Sequence, residues 1–179
     1  MDRYVALLRG INVGGKNKLS MSELKEELKK DEFTDVVTYL NSGNVIFSSN
    51  REDPQILANK MRTRIKLGFE LDIPIHVILQ AELKELLANA PEWWGDENKE
   101  IYDNVKFMMK PLSFEVLLTE IGEPKADFER VYPYKDIVFW SFIRKEHQKT
   151  NWWAKTAKPK VKDQLTIRTA NTVRKIVDM

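Results

Sequence analysis

The residues best suited to chemistry lie near the start of the chain, in Arg9-Gly-Ile-Asn-Val-Gly-Gly-Lys-Asn-Lys-Leu-Ser20. Gly10-x4-Gly15-Lys16 falls one residue short of a phosphate-binding P-loop, with Asn17 where Ser or Thr would hold magnesium. A P-loop passes directly into a helix whose N-terminus faces the phosphates. Here Lys16-Asn17-Lys18-Leu19 intervenes before a helix cap at Ser20, so the P-loop reading fails. A weaker reading survives: three glycines with Arg9, Asn12, Lys16 and Lys18 can form a backbone nest for an anion. The alternative is that glycine merely relieves a tight path while the lysines stay solvated.

Other candidates carry the same two-sidedness. Asn41-Ser-Gly-Asn44 has hairpin composition, and its amides can equally face a ligand. Arg168, one residue before the helix cap at Thr169, can hold a phosphate or carboxylate, or make a structural ion pair. Glu146–Lys162 interleaves Trp152 and Trp153 with lysines, as in surfaces that stack bases, yet helices commonly bury such aromatics. For conventional catalysis the chain offers little. His76 sits in an apolar run and His147 in a basic one, without metal-ligand spacing. Ser42 lacks the setting of a hydrolase nucleophile. No catalytic residue is assigned, and no metal or cofactor is expected.

The elements that must position these residues alternate in a definite order. Arg3–Leu8 reads as a strand, and Ser20-Met-Ser-Glu23 as a capping box opening a helix with Met21, Leu24 and Leu28 on one face. Two β-rich runs, Asp35–Leu40 and Asn44–Ser49, flank the hairpin. Asp53-Pro54 opens a helix carrying Leu57, Met61 and Ile65, and Ile73–Leu79 is the next strand. The order β-α-β-β-α-β is the ferredoxin-like pattern. After a linking helix at Ala81–Ala90, strands at 105–109, 128–132 and 137–144 with a helix at 113–121 repeat it. A helix at 146–155, an extended piece near 165–167 and a last helix at 170–177 complete the chain. The expected fold is therefore α+β, two ferredoxin-like halves, with residues 1–80 and 104–179 joined by 81–103. Both faces of Tyr4–Leu8 and Asp35–Leu40 are apolar, as in strands covered on both sides. That predicts packing of one half on the other.

Composition sets bounds. Hydrophobic residues make up 42% of 179, enough for a core, and there is no cysteine, which removes disulfides and thiolate sites. Residues 144–179 hold 10 Lys and Arg against 3 Asp and Glu, while 1–143 hold 19 against 24. Such asymmetry fits either an anionic partner or a basic end lying on the acidic stretch near Glu82–Asp103. The opening Met1-Asp-Arg-Tyr is not followed by a long apolar run, and none approaches the roughly 20 residues needed to span a bilayer. A cytoplasmic protein without membrane association is expected.

Taken together, Ala6-Leu-Leu-Arg-Gly-Ile-Asn-Val-Gly-Gly15, the Met21–Leu28 helix, Thr38-Tyr-Leu-Asn-Ser-Gly-Asn-Val-Ile-Phe47 and Arg168-Thr-Ala-Asn-Thr-Val-Arg174 resemble a bacterial family known as domain of unknown function 1697. The resemblance spans nearly the whole chain. It implies an α+β, duplicated ferredoxin-like architecture and brings no activity, substrate or catalytic residue. Its recognisable polar residues are Arg9, Asn12, Asn41, Ser42, Asn44, Arg168 and Asn171, which could converge in a cleft with two arginines and several amides. The leading expectation is a protein that binds a small phosphorylated or carboxylated ligand through Arg9, Asn12, Lys16, Asn41, Ser42, Asn44, Arg168 and Asn171. A nucleic-acid-binding module built on the basic C-terminal third, and an enzyme acting through backbone donors and arginines, are the alternatives.

Overall fold

The computed structural model describes residues 1–156, 158 and 160–179. The fold is mixed α+β, with two four-stranded antiparallel sheets and flanking helices. Two compact units form: Met1–Lys84 together with Lys175–Met179, and Glu85–Arg174.

In the first unit, β1 (Asp2–Leu8), β2 (Thr34–Tyr39), β3 (Asn44–Ser49) and β4 (Ile75–Leu79) lie in the order β2-β3-β1-β4. Helix α1 (Met21–Leu28) starts where the cap predicts: Ser20 Oγ accepts from the Glu23 N–H at 3.4 Å. Helix α2 (Pro54–Phe69) is capped by Asp53, whose carboxylate accepts from the Gln55 N–H at 2.7 Å. Its buried stripe is Leu57, Ala58, Met61 and Ile65. The stripe meets Tyr4, Ala6, Leu8 and Phe47, where Tyr4 stacks on Phe47 at 5.6 Å and Phe33 meets Phe47 edge-on at 5.0 Å. Each fully buried side chain of this size contributes about 1.5–3 kcal/mol by leaving water. Strand β4 starts at Ile75, two residues later than the apolar run suggests, because Pro74 has no N–H to give a ladder. Its carbonyl instead accepts from the Arg9 N–H at 3.0 Å. Helix α3 (Gln80–Ala88) follows β4 without a break, and the chain's end returns to this unit, with Gln80 Nε2 donating to the Ile176 carbonyl at 3.0 Å.

In the second unit, β5 (Ile101–Met108), β6 (Glu129–Tyr134), β7 (Ile137–Ile143) and β8 (Leu165–Thr169) lie in the order β6-β7-β5-β8. This matches the first sheet position for position. Helix α4 (Phe114–Ile121), capped by Ser113, follows β5, and α6 (Ala170–Ile176) follows β8 directly. Strand β5 starts earlier than its apolar pattern indicates, because polar Asp103 and Asn104 still pair with Ser141 and Trp140 of β7. Between β7 and β8 the sequence predicts one helix, and the chain instead breaks at Thr150. A 3-10 segment (Arg144–Lys149) precedes it and the four-residue α5 (Asn151–Ala154) follows, with Thr150 Oγ1 accepting from the Trp153 N–H at 3.2 Å.

Among the buried charged side chains of this unit, Lys106 and Glu129 meet the same tryptophans. Lys106 is fully buried, its Nζ 3.9 Å from the Trp140 ring centre and 5.8 Å from that of Trp152. The Glu129 carboxylate accepts from four N–H groups: Lys125 at 3.1 Å, Asn151 at 2.9 Å, Trp152 at 3.3 Å and Trp140 Nε1 at 3.3 Å. Cation and anion thus act on the same two tryptophans, one through their rings and the other through their N–H groups. Complete hydrogen bonding is what makes a buried carboxylate tolerable.

Candidate functional site

The sequence-predicted residues divide between the units: Arg9, Asn12, Lys16, Asn41, Ser42 and Asn44 in the first, Arg168 and Asn171 in the second. In the first, the glycine loop and the hairpin are one structure. Asn12 Nδ2 donates to the carbonyls of Leu19 at 2.9 Å and Asn41 at 2.8 Å, and its Oδ1 accepts from the Leu19 N–H at 2.8 Å. The Leu8 N–H donates to the Gly43 carbonyl at 2.8 Å. Asn44, fully buried, donates to the Tyr39 carbonyl at 2.8 Å and to Ser42 Oγ at 3.2 Å. Gly14 and Gly15 both take positive φ, and the Lys16 N–H closes back on the Val13 carbonyl at 3.0 Å, a tight two-residue turn. The Asn12 N–H is spent on the Asn17 carbonyl. These donors hold the loop's own path, and Asn12, Lys18 and Asn41 line an open concavity beside α1.

The second unit holds the more developed site. A polar cleft of 400 Å³ is lined by the 96–99 loop, the start of β5, Arg144 just past β7, and Thr169, Asn171 and Arg174 around the β8–α6 junction. Asn171 and Arg174 share it because residues three apart project from one side of a helix. Both guanidiniums are braced by rings: Arg144 lies over Tyr102 at 4.5 Å and Arg174 over Trp94 at 5.5 Å. Trp94 is itself fixed by its Nε1 donating to the Asn104 carbonyl at 2.8 Å. Among the described residues neither arginine forms an ion pair, whereas Arg62, Arg64, Lys60 and Lys135 all do. Planar guanidiniums stacked on aromatic faces are pre-oriented for bidentate contact with phosphate or carboxylate.

Asp103 forms the buried wall of this cleft. Ser141 Oγ and the Gly95 N–H donate to it. Burial pushes its carboxyl above the ordinary aspartate range, against those two hydrogen bonds and the nearby Arg174, while Asp96 adds to the rise. A Cβ on Gly95 would stand 2.2 Å from Arg174 Nη2, and Gly95 has φ +79°, so only glycine lets the guanidinium pack there. Arg168 points its Nη1 at Thr166 Oγ1 (2.9 Å) and the Ile167 carbonyl (2.8 Å) and is buried on the sheet face that also carries Asp103 and Val105. Trp152 is fully buried, its Nε1 donating to the Gly122 carbonyl at 3.0 Å, so core packing accounts for one of the two aromatics that a base-stacking surface would use. Trp153 remains half-exposed against His147 and Phe142. Among the described residues no helix is long and apolar enough to cross a membrane, and no group of acidic or histidine side chains is placed to hold a metal.

Sequence reasoning missed Arg144, Arg174 and Asp103. The Asn171-x-x-Arg174 spacing was an available signal. Nothing local marks Asp103, because its partner Ser141 lies a whole strand away and only the β5–β7 register joins them.

The family described as protein of unknown function (DUF1697) matches residues 1–139. The chain belongs to this family. A solved structure, that of the conserved bacterial protein SP0830 from Streptococcus pneumoniae, is similar over 99% of this chain and 97% of that one, at 29% identity and a TM-score of 0.84. No curated protein matches the sequence. This DUF1697 member shares the fold of that structure, and the cleft carries its candidate chemistry.

Proposed function

We propose that the protein binds a small phosphorylated or carboxylated molecule in the cleft of its second unit, with Arg144 and Arg174 as the anion contacts and Asn171 beside them. The observation that carries this reading is the pair of ring-braced guanidiniums in one concave polar site, neither engaged in an ion pair among the described residues. Its volume of 400 Å³ falls in the range of small-molecule sites. A thermal-shift titration of the full chain with inorganic phosphate and with citrate tests it. At ten times Kd, binding to the folded state adds about 1.4 kcal/mol, a rise in Tm of roughly 3–6 °C for a chain of this size. An equal rise in the Arg144→Ala, Arg174→Ala double variant, or none in the native protein, refutes the proposal.

We also infer that each unit is a ferredoxin-like element and that the chain is a duplication. Support comes from the matching strand orders β2-β3-β1-β4 and β6-β7-β5-β8, and from the helix that follows the fourth strand in both. An experimental structure with a permuted or parallel strand in either sheet would overturn it.

A further inference from the structure

The cleft is not simply basic. Asp96, Glu97 and Asp103 line it together with Lys99, Arg144 and Arg174. A site meant for a bare anion gains nothing from three carboxylates, which repel it and weaken binding. Carboxylates beside guanidiniums suit a ligand that presents an anionic group at one end and hydrogen-bond donors at the other.

Two kinds of donor are conceivable, an ammonium and hydroxyls, and the geometry separates them. Asp103 already accepts from Ser141 and from the Gly95 N–H, and Asp96 Oδ1 accepts from the Asn98 N–H at 2.9 Å. The lone pairs left over are directional and partial, which matches hydroxyls better than a full ammonium charge that Arg144 and Arg174 would oppose. A nucleobase is disfavoured for a different reason. Tyr102 is the one ring among the described lining residues, and the Arg144 guanidinium lies over it at 4.5 Å. Stacking a base there would require lifting that arginine off the ring.

Building on the anion-binding reading above, we infer that the ligand is a phosphorylated polyol or sugar, its phosphate taken by Arg144 and Arg174 and its hydroxyls by Asp96, Glu97 and Asp103. The site therefore distinguishes a sugar phosphate from inorganic phosphate, from a nucleoside monophosphate and from an amino acid.

Isothermal titration of the full chain with inorganic phosphate, glucose 6-phosphate, adenosine 5′-monophosphate and glutamate provides the test. Glucose 6-phosphate binds at least about tenfold tighter than inorganic phosphate, the worth of one or two added hydrogen bonds. Adenosine monophosphate and glutamate gain no such advantage. In an Asp96→Ala, Glu97→Ala variant, both positions being exposed, the tenfold preference falls toward one while inorganic phosphate binds as well as before or better. A misfolded variant would lose both ligands together, so the opposite movements identify the cause. Equal binding of phosphate and sugar phosphate overturns the polyol inference and leaves anion binding standing. So does tighter binding of the nucleotide or the amino acid, or a preference that survives the double substitution. Failure of all four ligands to bind overturns the polyol inference and the anion-binding reading together.

Discussion

Replacing Glu129 by glutamine removes one oxygen and a charge from a side chain that accepts four hydrogen bonds. The carboxylate accepts two N–H groups on each oxygen: Lys125 and Asn151 on Oε1, Trp140 Nε1 and Trp152 on Oε2. A glutamine presents one carbonyl oxygen and one NH2, so whichever way it turns, two donors face a donor. Each buried donor left unsatisfied costs about 1–3 kcal/mol, so Glu129→Gln is expected to destabilise by about 4 kcal/mol. At roughly 3 °C per kcal/mol the melting temperature falls by about 12 °C. Two of the four donors are the first N–H groups of α5, so that helix loosens first and Trp152, fully buried in the native chain, becomes hydrated. Urea unfolding followed by tryptophan fluorescence reads both effects. Glu146→Gln is the control, the same chemical change at a side chain paired with Lys149 on the surface, and should cost under about 0.5 kcal/mol. A loss below about 1 kcal/mol for Glu129→Gln would refute the claim that this carboxylate fastens the β7–β8 connection.

Asn12→Ala removes two hydrogen bonds to Leu19 within the glycine loop and one to Asn41 of the hairpin, and should cost about 2–3 kcal/mol in urea unfolding. Asn12→Gly, which keeps the φ of +54° accessible, should lose less than expected from bonds alone. Gly95→Ala forces Arg174 from its seat and places a Cβ at φ +79°; calorimetry should show weakened phosphate binding together with about 1–2 kcal/mol of destabilisation. Asp103 has a folded-state pKa above its unfolded value, so its contribution is most favourable below the unfolded pKa and declines as pH rises through the folded one. Asp103→Asn should therefore flatten that decline in a pH series of unfolding midpoints, and a steeper decline would contradict the sign.

Much of the first unit was legible because its signals are local. Ser20 and Asp53-Pro54 announce helix starts through their own side chains, and the α2 stripe repeats at helical spacing. The second unit was less legible where tertiary bonds decide. Glu146–Lys155 reads as one helix by composition, yet Thr150 takes an extended backbone and uses its hydroxyl to start α5 afresh. Lys106 sits within an ordinary strand pattern, and its packing on Trp140 and Trp152 is a tertiary feature that the pattern does not mark. The near-P-loop drew attention to real structure with a different task. Its Asn12 stitches the loop to the hairpin, while the ring-braced arginines Arg144 and Arg174 lie far along the sequence.

The strand registers align the two sheets residue by residue. Tyr4 pairs with the last residue of β4 and Asn104 with the last residue of β8, so the two positions correspond, and Asp103 corresponds to Arg3. Arg3 pairs with Ser48 as Asp103 pairs with Ser141, and Arg3 Nη1 donates to Ser48 Oγ at 3.2 Å. One serine thus serves a guanidinium in the first unit and a carboxyl in the second. By the same registers, Arg144 corresponds to Arg51, Asn171 to Ala81 and Arg174 to Lys84. The cleft thus keeps a basic residue at two of these positions and departs from the first unit at Asp103 and Asn171, while the strand order stays the same. Two features of the cleft oppose stability: a carboxyl whose charge burial disfavours, and a glycine at positive φ that clears room for an arginine. Neither is needed to build the sheet, since the first unit builds its own with other residues, and features that cost stability without serving the fold mark where a binding site is to be sought in a scaffold.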